Sequence, residues 1–233
     1  GAQIENLVLT GTGANNATGN NLANVITGKS GANMIDGGAG ADSMTGGAGS
    51  DLYIIDNIGD VVVEGSNGGT DTVRSSVNYV MSVNVVNLVL TGTAATNGTG
   101  NSAANSITGN DAANSLNGGG NADTLTGGLG ADRFIFAAAI GGTNTDSITD
   151  FAVGVDKMVL DRTIFAQIGP NGTLATAAFK TGLVADADDR ILYDAATGHI
   201  FYDSDGSGAA VAVHFVTVTA GLALSAADFL VVA

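Results

Sequence analysis

The chain has 233 residues with 45% hydrophobic content, enough to build one or two folded domains and to exclude general disorder despite 36 glycines. Its 22 acids against 7 bases give a formal net charge of −15, which argues against nucleic acid or an anionic membrane as partner and for cations. Cysteine is absent, which excludes disulfides, thiolate zinc sites and a cysteine nucleophile, and no apolar run reaches the roughly 18 to 20 residues of a membrane span.

The opening GAQIENLVLT reads as the interior of a strand, so the chain is expected to be part of a longer one. From Thr10 the sequence falls into nines: TGTGANNAT, GNNLANVIT, GKSGANMID, GGAGADSMT, GGAGSDLYI and IDNIGDVVV. The same register returns from Thr91 as TGTAATNGT, GNSAANSIT, GNDAANSLN, GGGNADTLT and GGLGADRFI, and the lead-in NLVLTGT occurs at both 6–12 and 87–93. The chain is internally duplicated. Periodicity of this kind signals a solenoid, and the glycine-rich nonapeptide G-G-x-G-x-D-x-U-x is a parallel β-helix repeat associated with calcium.

In each nonapeptide six residues rich in glycine turn the chain and three form a strand whose middle side chain points inward. Two nonapeptides make one coil. The inward eighth position holds Ala17, Ile26, Ile35, Met44, Tyr53 and Val62, then Gly98, Ile107, Leu116, Leu125 and Phe134. One such side chain per strand contributes about 2 kcal/mol, which scarcely offsets backbone ordering of about 1–2 kcal/mol per residue, so the turns need further cohesion.

The sixth position supplies it. Asn15, Asn24, Asn33, Asp42, Asp51 and Asp60 occupy it in the first block, and Thr96, Asn105, Asn114, Asp123 and Asp132 in the second. Repeats two apart stack, which brings Asp42 over Asp60 with their turns about 4.8 Å apart. Two stacked carboxylates repel, and a hard dication between them, completed by turn carbonyls to roughly 6–8 oxygens at about 2.3–2.6 Å, converts the repulsion into a clamp. Carbonyls of Gly37, Gly38, Gly40, Gly46, Gly47, Gly49, Gly118, Gly119, Gly127, Gly128 and Gly130 are the expected companions, because glycine lets the backbone approach the ion.

These repeats and the tail at 141–233 resemble the RTX (repeats-in-toxin) family of secreted calcium-binding proteins, most specifically in GGAGADSMT, GGAGSDLYI and GGLGADRFI; GGGNADTLT departs where Asn121 replaces glycine. The resemblance implies an all-β parallel β-roll, several calcium ions, calcium-driven folding outside the cell, and export by a type I secretion apparatus. Asparagine at position six in the repeats starting at 10, 19, 28, 100 and 109 offers no charge, so ions are expected at 37–71 and 118–156, with the other coils held by backbone ladders and Asn or Thr side chains.

Between the blocks, GDVVVEGSNGGTDTVRSSVNYVMSVNVVNLVL loses the nonapeptide but keeps β-branched strands, so the roll is expected to continue or widen. Asp71, in GGTDTV, follows a turn and is a candidate to share an ion with Asp51. In 141–160 a looser form of the repeat places Asp146 opposite Asp123 and Asp156 opposite Asp132, with Arg133 and Lys157 as surface charges. Further on, IFAQI and LATAAFK read as short helical turns, and RILYD, GHIFYDSD and AAVAVHFVTV as a strand meander. Position twelve after Asp203 in DSDGSG is His214, not the glutamate an EF-hand loop requires, so this stretch is a turn. The meander resembles the serralysin-like C-terminal cap of the RTX family, and the terminal DFLVVA its unprocessed secretion signal; an ordinary last strand fits DFLVVA equally.

Nothing assembles into a catalytic pair. His199 and His214 fall on strands, neither is followed by glutamate, and TGKSG at 27–31 lacks the earlier glycine of a phosphate loop. The sequence therefore reads as a noncatalytic, secreted calcium module with a first block and connecting strands at 1–90, a second block at 91–160 and a cap at 161–233. Two other readings stay open: the tail of a secreted hydrolase or epimerase with its catalytic domain upstream, and an adhesive or ice-binding array. The array would meet a surface polysaccharide or a neighbouring cell through Thr12, Thr18, Thr27, Thr99 and Thr108.

Overall fold

A computed structural model describes residues 3–233. Each nonapeptide delivers one short strand: Ala17–Thr18, Val25–Thr27, Met34–Asp36, Ser43–Thr45, Leu52–Ile55 and Val61–Val63 in the first block. Asn97–Thr99, Ser106–Thr108, Ser115–Asn117, Thr124–Thr126 and Arg133–Phe136 follow in the second. Pairing is parallel between strands two repeats apart, Ile26 with Met44 and Met44 with Val62 on one side, Ile35 with Tyr53 on the other. The result is the all-β parallel β-roll that the nine-residue period predicts.

One side of the roll is a single 12-stranded sheet that runs unbroken through both blocks. The opposite side is divided: a 4-stranded sheet ends at Val61–Val63 and a 7-stranded sheet begins at Tyr79–Val80. Lost periodicity explains the division. After the strand at 61 the next ones begin at 72, 79 and 87, so the intervals are no longer nine, and Val61–Val63 and Tyr79–Val80 do not pair. The roll thus continues between the blocks on one side only.

The core is the file of eighth-position side chains. Ile26, Ile35, Met44, Tyr53, Ile107, Leu116, Leu125 and Phe134 are each 0% exposed. At Gly98, which brings no side chain, an added methyl would meet Leu88 Cδ2 at 2.9 Å and Ile107 Cγ2 at 3.3 Å, so neighbours already fill the gap.

The interior thickens at the C-terminal end, where Phe136 and Phe165 both pack edge-on against Phe215, each with centroids 5.1 Å apart. The meander forms as predicted: Ile191–Asp194, His199–Tyr202 and Val213–Thr217 are antiparallel, and the last of them pairs in parallel with Asp146–Ile148, covering the end of the long sheet. Phe229–Val232 covers the other side by pairing with Lys157–Asp161. Parallel rolls expose sticky edges, and these strands close them.

The short helical turns expected at 164–168 and 174–180 take two forms. The first is a run of hydrogen-bonded turns, with Phe165 N–H donating to the Asp161 carbonyl at 2.9 Å. The second holds only a 3-10 turn at Thr176–Ala178 before the strand Phe179–Thr181. Segments this short do not extend beyond a turn, and Phe165, Ile168 and Leu174 are each buried. Among the described residues no helix is long and apolar enough to cross a membrane.

Candidate metal centres in the turns

Stacked turns are joined through the sixth position. The backbone N–H of four sixth-position asparagines donates to Oδ1 of the aspartate one coil further on: Asn24 to Asp42 at 2.7 Å, Asn33 to Asp51 at 2.6 Å, Asn105 to Asp123 at 2.7 Å and Asn114 to Asp132 at 2.8 Å. The ladder continues past the nonapeptides, from Asp42 to Asp60 at 3.0 Å, Asp51 to Asp71 at 2.8 Å, Asp123 to Asp146 at 3.0 Å and Asp132 to Asp156 at 2.9 Å. All four carboxylate pairs expected from stacking are therefore in direct succession, including those 20 to 24 residues apart.

Asparagine and aspartate close this position differently. Asn33 accepts the Lys29 N–H on Oδ1 at 2.9 Å and donates from Nδ2 to the Asn15 carbonyl at 2.7 Å; Asn114 does the same with the Asn110 N–H at 2.8 Å and the Thr96 carbonyl at 2.6 Å. Both ends of the amide are satisfied. Aspartate in the same place has no donor to offer, and Oδ2 of Asp42, Asp51, Asp71, Asp123 and Asp132 is buried without any hydrogen-bond partner. A buried, unpartnered carboxylate oxygen is costly, and a cation is the group that would satisfy it.

Local backbone explains why these oxygens stay open. Each of the five follows a Gly-Gly pair, and Gly38, Gly40, Gly47, Gly49, Gly128 and Gly130 all have positive φ, as does Asn121 at 66°. In the Gly-Gly turn the N–H of the second turn residue is taken up elsewhere than by the sixth-position side chain, as where Gly38 donates to Asp36 Oδ1 at 3.0 Å. The first glycine is sterically required, because a methyl on Gly37 or Gly118 would collide with Oδ2 of Asp42 or Asp123. Asp60 and Asp156 lack the Gly-Gly turn, and their Oδ2 atoms accept backbone N–H groups, from Asn57 at 3.1 Å and from Ala152 at 2.8 Å. They complete the ladder without an open oxygen.

Sequence reasoning missed three residues that hold the turns. Asp36 and Asn117, both at position nine ahead of a Gly-Gly pair, cap the amides of Gly38 and Gly119, each at 3.0 Å. Asp150 accepts from both Gly127 and Gly128 at 2.8 Å, taking over where position nine is Thr126. An acid or amide immediately before Gly-Gly is the signal that would have found the first two. Glu64 also enters the first cluster: one oxygen each of Asp51, Glu64 and Asp71 lie within 4.8 Å of one another.

The electrostatics are those of an acid cluster awaiting a counter-charge. Burial pushes the carboxyl of Asp123 up to about 7 and those of Asp132 and Asp146 to about 6, with Asp146 adding its charge against Asp123 and Asp156 against Asp132. Asp42, Asp51 and Asp71 are raised for the same first reason. The donors are carboxylate, amide and backbone oxygens only, a hard set that fits calcium and suits no soft metal.

Other expectations fall away from this site. Asp203 Oδ1 accepts the N–H groups of Asp205 at 3.1 Å and Gly206 at 2.9 Å, so DSDGSG is a turn closed on its own acid. His199 and His214 stack with centroids 4.3 Å apart, half-buried, and burial lowers the His214 pKa. Arg133 is exposed and lies opposite Lys157. The threonines considered for a surface array are divided between the two sides: Thr18 and Thr108 lie on the 12-stranded sheet, Thr27 and Thr99 on the 4-stranded and 7-stranded sheets of the opposite side.

Residues 18–53 and 99–134 match the RTX calcium-binding nonapeptide repeat family (4 copies). No curated protein matches the chain.

Proposed function

We propose that this chain, an RTX β-roll protein with calcium-binding nonapeptide repeats, is a noncatalytic module that folds on extracellular calcium and serves the type I secretion and stability of a larger secreted bacterial protein. The observation that carries the reading is the open Oδ2 on Asp42, Asp51, Asp123 and Asp132, each after the Gly-Gly turn of a nonapeptide, beside asparagine turns that close themselves. Asp42, Asp51, Asp71, Asp123 and Asp132 would hold the ions, with Asp60, Asp146 and Asp156 as the next members of the ladder and the turn glycines presenting carbonyls.

Calcium supplies positive charge between coils; the chain's own residues do the rest. Asp36, Asn117 and Asp150 take up turn N–H groups that would otherwise compete for the carboxylates, and the ladder amides orient Oδ1 so that Oδ2 faces the turn. At the low calcium of a cytosol the acids repel and the thin core does not hold, which suits passage through an exporter. Binding and folding outside are then a single equilibrium.

The test is a calcium titration of the chain followed by circular dichroism and calorimetry. A rise in β signal that chelator reverses, with several sites per chain, is expected. A spectrum indifferent to both calcium and chelator would overturn the proposal.

A further inference from the structure

Glu64 is one of only two glutamates in the chain and lies outside both matched repeat regions. It sits where the nine-residue spacing fails and the 4-stranded sheet ends. Its backbone carbonyl is tied to the next coil by Asn84 Nδ2 at 3.0 Å, and its Oε1 accepts the hydroxyl of Tyr53, a fully buried core residue. Held at both ends, the side chain points its second oxygen, Oε2, into the protein, where it is buried and unpartnered.

Two further open oxygens meet it there. Asp51 is 2% exposed and Asp71 is 0% exposed, each with Oδ2 buried and without a partner. The space they enclose is kept clear by Gly68, where an added methyl would lie 2.6 Å from Glu64 Oε2, 3.1 Å from Asp71 Oδ2 and 3.3 Å from the Gly47 carbonyl oxygen. Nothing of compensating charge is near: among the described residues the one ion pair is Lys180 with Asp186, in the cap.

We infer that Asp51, Glu64 and Asp71, with the Gly47 carbonyl beside them, form a distinct three-carboxylate calcium site at the junction of the two blocks, the tightest on the chain and the first to fill. The inference extends the reading above to a donor set outside the nonapeptide pattern. The other open oxygens pair one aspartate with the next in the ladder, whereas three carboxylates converge here on a rigid support. Charge count and rigidity are what tune the affinity of a calcium site. An ion there would fix the 64–71 loop against the turn at Gly46–Gly49, just where one side of the roll has lost its strand pairing.

Terbium tests this directly, because a lanthanide on these oxygens lies beside Tyr53 and is excited through it. With the full chain, tyrosine-excited terbium emission is expected at the lowest metal concentrations, before the calorimetric filling of the remaining sites. Tyr53→Phe should remove the emission while preserving the number of sites. Glu64→Gln, and Gly68→Ala, which removes no ligand but fills the space between them, should each raise the terbium midpoint about tenfold or more. Asp123→Asn should leave the emission in place. An unchanged midpoint in Glu64→Gln, or emission that survives Tyr53→Phe, would overturn the junction site. Calcium binding to the second block without any Tyr53-dependent emission sinks this inference alone. Emission that persists in a chain whose repeats take no calcium sinks the repeat reading and leaves this one standing.

Discussion

Asp132 Oδ1 accepts the backbone N–H of Asn114 at 2.8 Å, while its buried Oδ2 meets no donor. One coil earlier Asn114 shows the alternative, its amide donating to the Thr96 carbonyl at 2.6 Å. Asp132→Asn is therefore expected to act in opposite directions with and without metal. Loss of a charge should raise the calcium midpoint several-fold, whereas the calcium-free chain should gain stability of about 1–3 kcal/mol as an unsatisfied group is removed. Parallel thermal melts in calcium and in chelator check this; destabilisation in both would refute it.

Acid should substitute in part for calcium. Asp123 titrates at about 7 and Asp132 and Asp146 at about 6 in the folded chain, against about 3.9 when unfolded. The folded state thus binds protons more tightly, and the stability this confers is complete below about pH 4 and lost as pH rises through 6 to 7. Lowering the pH of calcium-free protein from 7.5 to 5 should raise its melting temperature, and the same change should weaken calcium binding because protons compete for the same oxygens. A calcium-free chain less stable at pH 5 would contradict the burial described for these acids.

The first turn glycine should tolerate no methyl where an aspartate oxygen occupies the space. Gly118→Ala is expected to cost about 1–3 kcal/mol and to weaken calcium binding, since its Cβ would collide with Asp123 Oδ2. Gly13→Ala meets nothing within 4 Å and should be nearly neutral. Chemical denaturation of the two variants in calcium separates the outcomes, and equal effects would show that glycine acts there through flexibility alone.

Leu116→Ala should cost about 2–5 kcal/mol, the usual range for a buried leucine. Leu116 is 0% exposed and stands alone on its strand, paired across the ladder with Gly98 and Phe134, so no second apolar residue can close the gap. Denaturant midpoints in saturating calcium measure it; a loss under about 1 kcal/mol would mean that the file of side chains is not what holds the sheets apart.

Much of this was legible in the nonapeptide. A strict period of nine determines which strands stack, so Ile26 against Met44 and Asp42 against Asp60 follow from counting. Counting carried even to Asp123 with Asp146 and Asp132 with Asp156, where a longer turn adds residues without moving the strand ends out of line. What counting could not supply was the direction of each N–H. Asp60 and Asp156 lack the Gly-Gly pair of their neighbours, yet that their Oδ2 atoms would take turn N–H groups instead of staying open could not be read from the count. Glu64 was illegible for a different reason: it joins Asp51 through a loop of irregular length and through Tyr53, whose inward position identified it only as core.

The long sheet crosses the junction where its counterpart stops, so load passing along the roll has one continuous path and one interrupted path. Bending that opens the interrupted side breaks no strand pairing between Val61–Val63 and Tyr79–Val80, because none exists there. The molecule should flex about the junction in that single plane and resist in the others. Scattering profiles of a chain labelled at its two ends would register this as a spread of end-to-end distances that narrows once Glu64 is locked in place.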